Sequence, residues 1–177
     1  MISGRGSNMR ALVEKADGYD VLLVASNKPQ AAGLDWARDR GLPTWTWDSK
    51  GVDRDIFDRM LNDVLEDHGV GTIALAGYMR ILSNDFVTRW AGRTVNVHPS
   101  LLPKYRGLDT HRRALEAGDA VTGCTVHVVT NELDSGDVLG QTEVTIEPGD
   151  TVQSLEQRVL KAEHDLYPQV LKAFVAR

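Results

Sequence analysis

One cysteine, Cys124, is all that 177 residues contain. No internal disulfide can form, and a cysteine-rich metal site is excluded. Long apolar runs are missing too. Runs such as VLLVA at 21–25 fall far short of the roughly 20 residues that span a bilayer. No basic-then-apolar leader opens the chain. Positive charge is not in excess: 20 Lys and Arg against 25 Asp and Glu leave a net charge of −5. That balance argues against nucleic acid or an anionic membrane surface as the main partner. The metal-binding HExxH pattern, the nucleophile elbow GxSxG and the GK[S/T] of a P-loop do not occur. Neither do internal repeats, low-complexity tracts or an interdomain linker. What is present, 42% hydrophobic and 25% charged residues, suits one globular domain over residues 1–177 with a real core. A soluble, cytoplasmic protein is expected.

The first half of the chain alternates strand-like and helix-like segments. DVLLVA (20–25) is a short, nearly all-apolar run, as expected of a strand covered on both faces. QAAGLDWARD (30–39) predicts a helix stopped by Gly41 and Pro43, and PTWTW (43–47) is β-prone. The segment at 53–69 puts Ile56, Phe57, Met60, Leu61, Val64 and Leu65 on one helical face, with Gly69 as the stop. An apolar strand at 71–77, a short helix at 84–90 and a strand at 93–97 follow. This rhythm predicts an α/β fold: an open, mostly parallel twisted sheet with helices on both faces and a Rossmann-like amino-terminal half. After Pro103 the rhythm changes. A helix near 110–117 precedes two β runs, 121–130 and 137–146, whose intervening turn chemistry predicts an antiparallel pair at the sheet edge. The closing segment at 151–175 reads as an amphipathic helix interrupted at Pro168. Only Met1 and Ile2 precede SGRGSN, fewer than the roughly five residues of an ordinary strand.

SGRGSN (3–8) lies between that short strand and an apparent helix, NMRALVEKA. It is not a dinucleotide fingerprint, because Met9 stands where a third glycine is required and no acidic residue closes the second strand. Two readings remain: a phosphate monoester held by the amides of Gly6, Ser7 and Asn8, or a tight turn with Ser7 as helix cap. Farther on, TVNVHPSLLPKYRG (94–107) ends a β-branched run with Asn96 and His98, a polar pair that costs stability at a strand end unless it is used. Ligands of parallel sheets bind at the carboxyl ends of strands. SGRGSN, GYMRIL (77–82), NVHPS and NELD (131–134) would meet there. Such a crevice combines a phosphate cradle with Asn96, which can donate to an oxyanion, and His98, which can move a proton. Asp134 could hold the imidazole's tautomer. Direct acyl transfer between two bound substrates, without a metal, fits these parts.

SGRGSN, LAGYMRIL, NVHPSLLPKYRG and TNELDSGDV, in this order and at these gaps, resemble the glycinamide ribonucleotide formyltransferases of the folate-dependent formyltransferase family. The resemblance covers almost the whole chain. It implies formyl transfer from 10-formyltetrahydrofolate, as co-substrate, to the amine of glycinamide ribonucleotide in purine biosynthesis. It further implies Asn96, His98 and Asp134 as the catalytic trio. Gly6, Ser7, Asn8 and Glu163 would lie on the ribonucleotide side. Arg54, Met79, Arg80, Ile81, Leu82, Asn96, Thr130, Asn131, Glu132, Leu133 and Asp134 would lie on the folate side. Small-molecule substrates, no metal, no nucleic acid or membrane partner, and a monomer or weak homodimer are expected. Arg106 and Asp109 stand where many members have Pro and His.

The remaining candidates have plainer readings. His127 alternates with valines and reads as structural, His111 as a helix-start residue, and His68 and His164 as exposed helix-face residues. Cys124 reads as a small buried hydrophobe, and Trp36, Trp45 and Trp47 as packing. Within the same fold, formyltetrahydrofolate hydrolase lacks a GSN phosphate loop and usually carries an extra amino-terminal domain. Methionyl-tRNA formyltransferase is disfavoured by the acidic chain and its length. A non-catalytic module that binds phosphate metabolites would not require all of Asn96, His98 and Asp134.

Overall fold

The computed structural model describes residues 1–177. In chain order its elements are α1 (Ser7–Glu14), β1 (Val24–Ser26), α2 (Ala32–Arg38), β2 (Thr44–Thr46), α3 (Arg54–Asp67) and β3 (Ile73–Leu75). There follow α4 (Asn84–Arg89), β4 (Thr94–His98), α5 (Thr110–Glu116), β5 (Val121–Val128), β6 (Val138–Thr145) and α6 (Val152–Val175). β1 pairs parallel with β2, and β3 with β4; β5 then runs antiparallel to both β4 and β6. Residues 1–3 stitch the two sheets together. Ile2 N–H donates to Ala25 O at 2.9 Å on one side, and Ala76 N–H donates to Met1 O at 2.9 Å on the other. The short first strand is therefore seated, with strand pairing on both flanks.

Apolar side chains divide between the two faces of this sheet. One cluster joins Met9 and Leu12 of α1, Leu34 of α2, and Leu155, Val159 and Tyr167 of α6 to Val24, Val95 and Val126. The other sets Phe57, Leu61 and Leu65 of α3 and Phe86 of α4 against Ala25, Ile73 and Leu75. Helices thus cover both faces, as the alternation of segments predicts. No helix is long and apolar enough to cross a membrane.

Three expectations need correction. The run at 20–25 is not a full strand: only Val24–Ser26 pair, and Leu22 is 43% exposed. Backbone groups before Val24 have no neighbouring strand at the Met1 side to pair with. On α3, Phe57, Leu61 and Leu65 are buried, but Ile56 and Met60 are exposed, because a helix lying on one sheet face buries a narrower stripe than its apolar residues offer. Pro168 does not interrupt α6, which is continuous over 24 residues. A proline leaves the carbonyl four residues earlier without its helical donor. Here that carbonyl, on His164, accepts from Lys15 Nζ at 3.0 Å. Beside it, the buried Tyr167 hydroxyl lies 3.1 Å from both Leu75 O and Val95 O, reaching two adjacent strands at once.

Candidate active site

Antiparallel pairing of β4 with β5 sets Asn96 opposite His127 and His98 opposite Thr125. Opposed residues share a sheet face, so alternation also puts Asn96 and His98 on one side. Asn96 Nδ2 lies 3.2 Å from His127 Nε2, while His127 Nδ1 lies 3.0 Å from Val128 O. A carbonyl can only accept, so Nδ1 carries the proton and the neutral ring presents a bare Nε2. The Asn96 amide must then turn its NH₂ toward that nitrogen. Burial lowers the His127 pKa from its ordinary value, partly offset by the Val128 carbonyl and the Asp134 carboxylate, which keeps the ring neutral.

His98 is buried, and its Nε2 lies 2.9 Å from Tyr105 O. Its Nδ1 faces Asp134 Oδ2 at 3.4 Å. Both ring nitrogens thus face oxygen. The same Oδ2 accepts the Gly107 N–H at 2.9 Å, and Oδ1 stands 3.6 Å from His127 Nε2. Asp134 itself sits in a turn with φ of 48°, a left-handed conformation that Asp tolerates better than most side chains. That turn swings the carboxylate back between the two imidazoles. The structure brings Asn96, His98 and Asp134 together, and adds His127 to them. The sequence reading of His127 as a structural residue named no contact with Asn96 or Asp134. The signal was available in the register: a polar residue directly across from Asn96 on the neighbouring strand, in a run that pairs with β4.

A second cluster forms at α1. Its N-cap is Gly6, with φ of 70° and no capping side chain, so the cap role does not fall to Ser7. The first helical bond is Arg10 N–H to Gly6 O, which leaves the amides of Ser7, Asn8 and Met9 without helical acceptors. Gly33 of α2 backs this loop, donating to Gly4 O at 3.1 Å. A Cβ at Gly33 would collide with Ile2 and crowd the carbonyls of Gly4 and Arg5. Asn8 Nδ2 donates to Glu163 Oε2 at 2.6 Å, uniting two of the predicted ribonucleotide-side residues. Burial raises the Glu163 carboxyl to about 7, with the Asn8 bond opposing the shift and Glu156 adding to it. Asn8 Oδ1 is buried and has no partner.

The loop after β3 carries the next group. Ser3 Oγ accepts the Met79 N–H at 2.7 Å and donates to Asn27 Oδ1 at 2.5 Å. Arg80 reaches back to Ser49 O and Val52 O, and the buried Asp58 accepts the Ser83 N–H at 2.6 Å. Asp58, whose carboxyl is raised by burial, was not singled out from sequence; as the carboxylate holding the end of this loop it belongs with Arg80. Met79, Ile81 and Leu133 are exposed, while Leu82 packs inward beside Phe86. Thr130, Asn131 and Glu132 are exposed, and Thr130 Oγ1 donates to Glu132 O at 3.0 Å. Arg54 begins α3 without a side-chain hydrogen bond, and its charge, with that of Arg80, opposes the upward shift of Asp58. Arg106 lies 4.0 Å from Glu132. No group of three or more His, Cys, Asp or Glu side chains is placed to hold a metal ion. Trp45 and Trp47 pack on Phe57, and Cys124 is buried. His164 is half-buried, not exposed, with its pKa lowered by burial.

Residues 1–171 match the formyl transferase family profile. The chain is 45% identical over 180 residues to phosphoribosylglycinamide formyltransferase of Escherichia coli (strain K12), covering 98% of this chain and 84% of that protein. It is 43% identical over 177 residues to the trifunctional purine biosynthetic protein adenosine-3 of Bos taurus, but spans only 18% of that protein's length. Among solved structures, phosphoribosylglycinamide formyltransferase from Brucella melitensis superposes with a TM-score of 0.93 at 43% identity, over 99% of this chain and 93% of that one.

Proposed function

Because the chain belongs to the formyl transferase family, we propose that it transfers the formyl group of 10-formyltetrahydrofolate to the amine of glycinamide ribonucleotide. The observation that carries the proposal is the buried network at the end of β4, where Asn96, His98, Asp134 and His127 meet within 3.6 Å links. In the reaction the amine nitrogen attacks the formyl carbon. A C–N bond forms, and the former carbonyl oxygen takes up negative charge. Asn96 donates to that oxygen with the amide hydrogen that His127 does not use. The attacking amine must lose a proton and the departing folate nitrogen must gain one. His98, held by Tyr105 O and Asp134, is the group that moves it. Collapse of the tetrahedral carbon breaks the bond to the folate nitrogen. Oxyanion donors of this kind contribute roughly 10²–10³-fold and positioned acid–base groups about 10²–10⁴-fold.

The ribonucleotide phosphate is assigned to the free amides of Ser7, Asn8 and Met9, where helix dipole and donors favour an anion. Glu163 and the unpartnered Asn8 Oδ1 face the glycinamide portion, which carries N–H donors for both. For the folate, exposed Met79, Ile81 and Leu133 supply an apolar wall, and the backbone of 79–82 and 130–134 supplies hydrogen bonds to a flat heterocycle. Arg54 is assigned to the same ligand as a charge partner.

A formyl-transfer assay run with and without the ribonucleotide tests this. Release of tetrahydrofolate should depend on the amine acceptor. Release at the same rate without it would make the protein a hydrolase and overturn the proposal.

A further inference from the structure

Tyr105 holds a left-handed backbone conformation, with φ of 55°, a region that bulky side chains rarely visit. Gly107 and Asp109 share that handedness, with φ of 80° and 57°. These three alternate residues bend the segment after β4 so that its backbone meets the trio twice. Tyr105 O accepts from His98 Nε2 at 2.9 Å, and Gly107 N–H donates to Asp134 Oδ2 at 2.9 Å. A carbonyl can only accept, so Nε2 of His98 carries a proton. Backbone strain of this kind persists only where the surroundings hold it. Ser100 does not supply that hold. Its Oγ donates to Lys104 O at 2.6 Å and lies 3.5 Å from Tyr105 O, too far to fix that carbonyl.

The hold comes from the Tyr105 side chain. Its hydroxyl donates to Asp119 Oδ2 at 2.8 Å. That bond draws the Asp119 carboxyl below its ordinary value and lifts the Tyr105 hydroxyl above its own. The Arg113 guanidinium lies 5.1 Å over the Tyr105 ring, and its Nη1 donates to Arg106 O at 2.7 Å. Asp119 is itself tethered, because its N–H donates at 3.2 Å to the carbonyl of Ala114, a buried residue of α5. We propose that Asp119 is a positioning residue: by gripping the Tyr105 hydroxyl it fixes the carbonyl that orients His98. Lys104 Nζ also reaches this carboxylate, at 3.0 Å and 3.1 Å. The Lys104 side chain is 62% exposed, and an ion pair so open to water contributes little. The grip is therefore the hydroxyl bond. The inference rests on the proton-moving role of His98 in the proposed reaction.

The test reads His98 with and without turnover. Asp119→Ala and Tyr105→Phe each remove the hydroxyl bond, so each should lower kcat by about tenfold, part of what a positioned acid–base group contributes. Both KM values should stay within about twofold. The double variant should cost no more than either single one, since the same bond is lost in all three. Asp119→Asn keeps an acceptor for the hydroxyl and should bring kcat back to within about threefold of the native value. Lys104→Ala removes only the exposed pair and should leave kcat within about twofold. In heteronuclear NMR of the resting, histidine-labelled protein, the His98 Nε2 proton should exchange with water about tenfold faster in Asp119→Ala and Tyr105→Phe. In Asp119→Asn it should exchange at the native rate. Unchanged exchange in the first two variants overturns the proposal. So does a loss of kcat that Asp119→Asn leaves unrestored, or a rise in KM with kcat intact. The exchange measurement uses no substrate: if the expected pattern appears in a protein that transfers no formyl group, the grip on His98 stands and the proposed reaction falls.

Discussion

Replacing His127 with Phe keeps a flat ring of similar size in the buried site and removes the one acceptor that orients Asn96. The wild-type chain of contacts runs from Val128 O to His127 Nδ1, and from His127 Nε2 to Asn96 Nδ2 at 3.2 Å. Without it the amide loses a bond worth about 1–3 kcal/mol when left unsatisfied, and its donor is no longer aimed. Losing an oxyanion donor altogether costs about 10²–10³-fold. A misaimed donor should cost less, so kcat should fall roughly 10–100-fold with little change in KM, since neither ligand is bound by this ring. The decisive measurement is a double-mutant cycle. In an Asn96→Ala background there is nothing left to aim, and His127→Phe should cost no more than about threefold. His127→Gln, which can still offer an acceptor, should recover part of the loss. Steady-state kinetics on the four proteins of the cycle and on His127→Gln checks all of this. If the two single losses simply multiply, His127 does not act through Asn96 and the reasoning fails.

Three other outcomes follow from the same geometry. Gly6→Val, at a position with φ of 70° and with Met9, Ile2 and Gly33 close around it, should weaken ribonucleotide binding while a folate analogue still binds, as read by calorimetry. Asp134→Asn keeps an acceptor for Gly107 but removes the charge shared between His98 and His127; kcat should drop by about 10²–10⁴-fold with both ligands still bound. Glu163, raised from 4.5 to about 7 by burial, binds a proton more readily in the folded chain, so its contribution to stability is present below pH 4.5 and is lost as pH rises through 7; denaturant titrations across that range should show the loss in the native sequence and not in Glu163→Gln.

Periodicity made the order of elements legible, because apolar runs and glycine stops are local signals. It failed where partners decide. Val21 to Leu23 look like the middle of a strand, but pairing depends on what lies beside them, which one segment cannot reveal. Pro168 reads as a break because proline removes an intrahelical donor; only the fold brings Lys15 to the freed carbonyl. Asn96, His98 and Asp134 were visible as a motif. His127 and Asp58 were not, since each gains its meaning from a contact across the fold. For His127 that contact is cross-strand register, and for Asp58 it is the loop end at Ser83, 25 residues away.

Helix α6 also has a bearing on how the protein could be divided. It supplies Glu163 to Asn8, the His164 carbonyl to Lys15, and the Tyr167 hydroxyl to the carbonyls of Leu75 and Val95. All three come from one turn and a half of the last helix, and all three reach the first 100 residues. The connection before it, Glu147 to Gly149, is exposed. Cutting there would separate a fragment bearing the strand-end trio from a short peptide bearing the carboxylate that steadies Asn8. Neither piece would hold both Asn8 and Glu163, the pair proposed for the ribonucleotide. Because α6 also buries Leu155, Val159 and Tyr167 in the core, turnover from two such fragments would register that they had packed together.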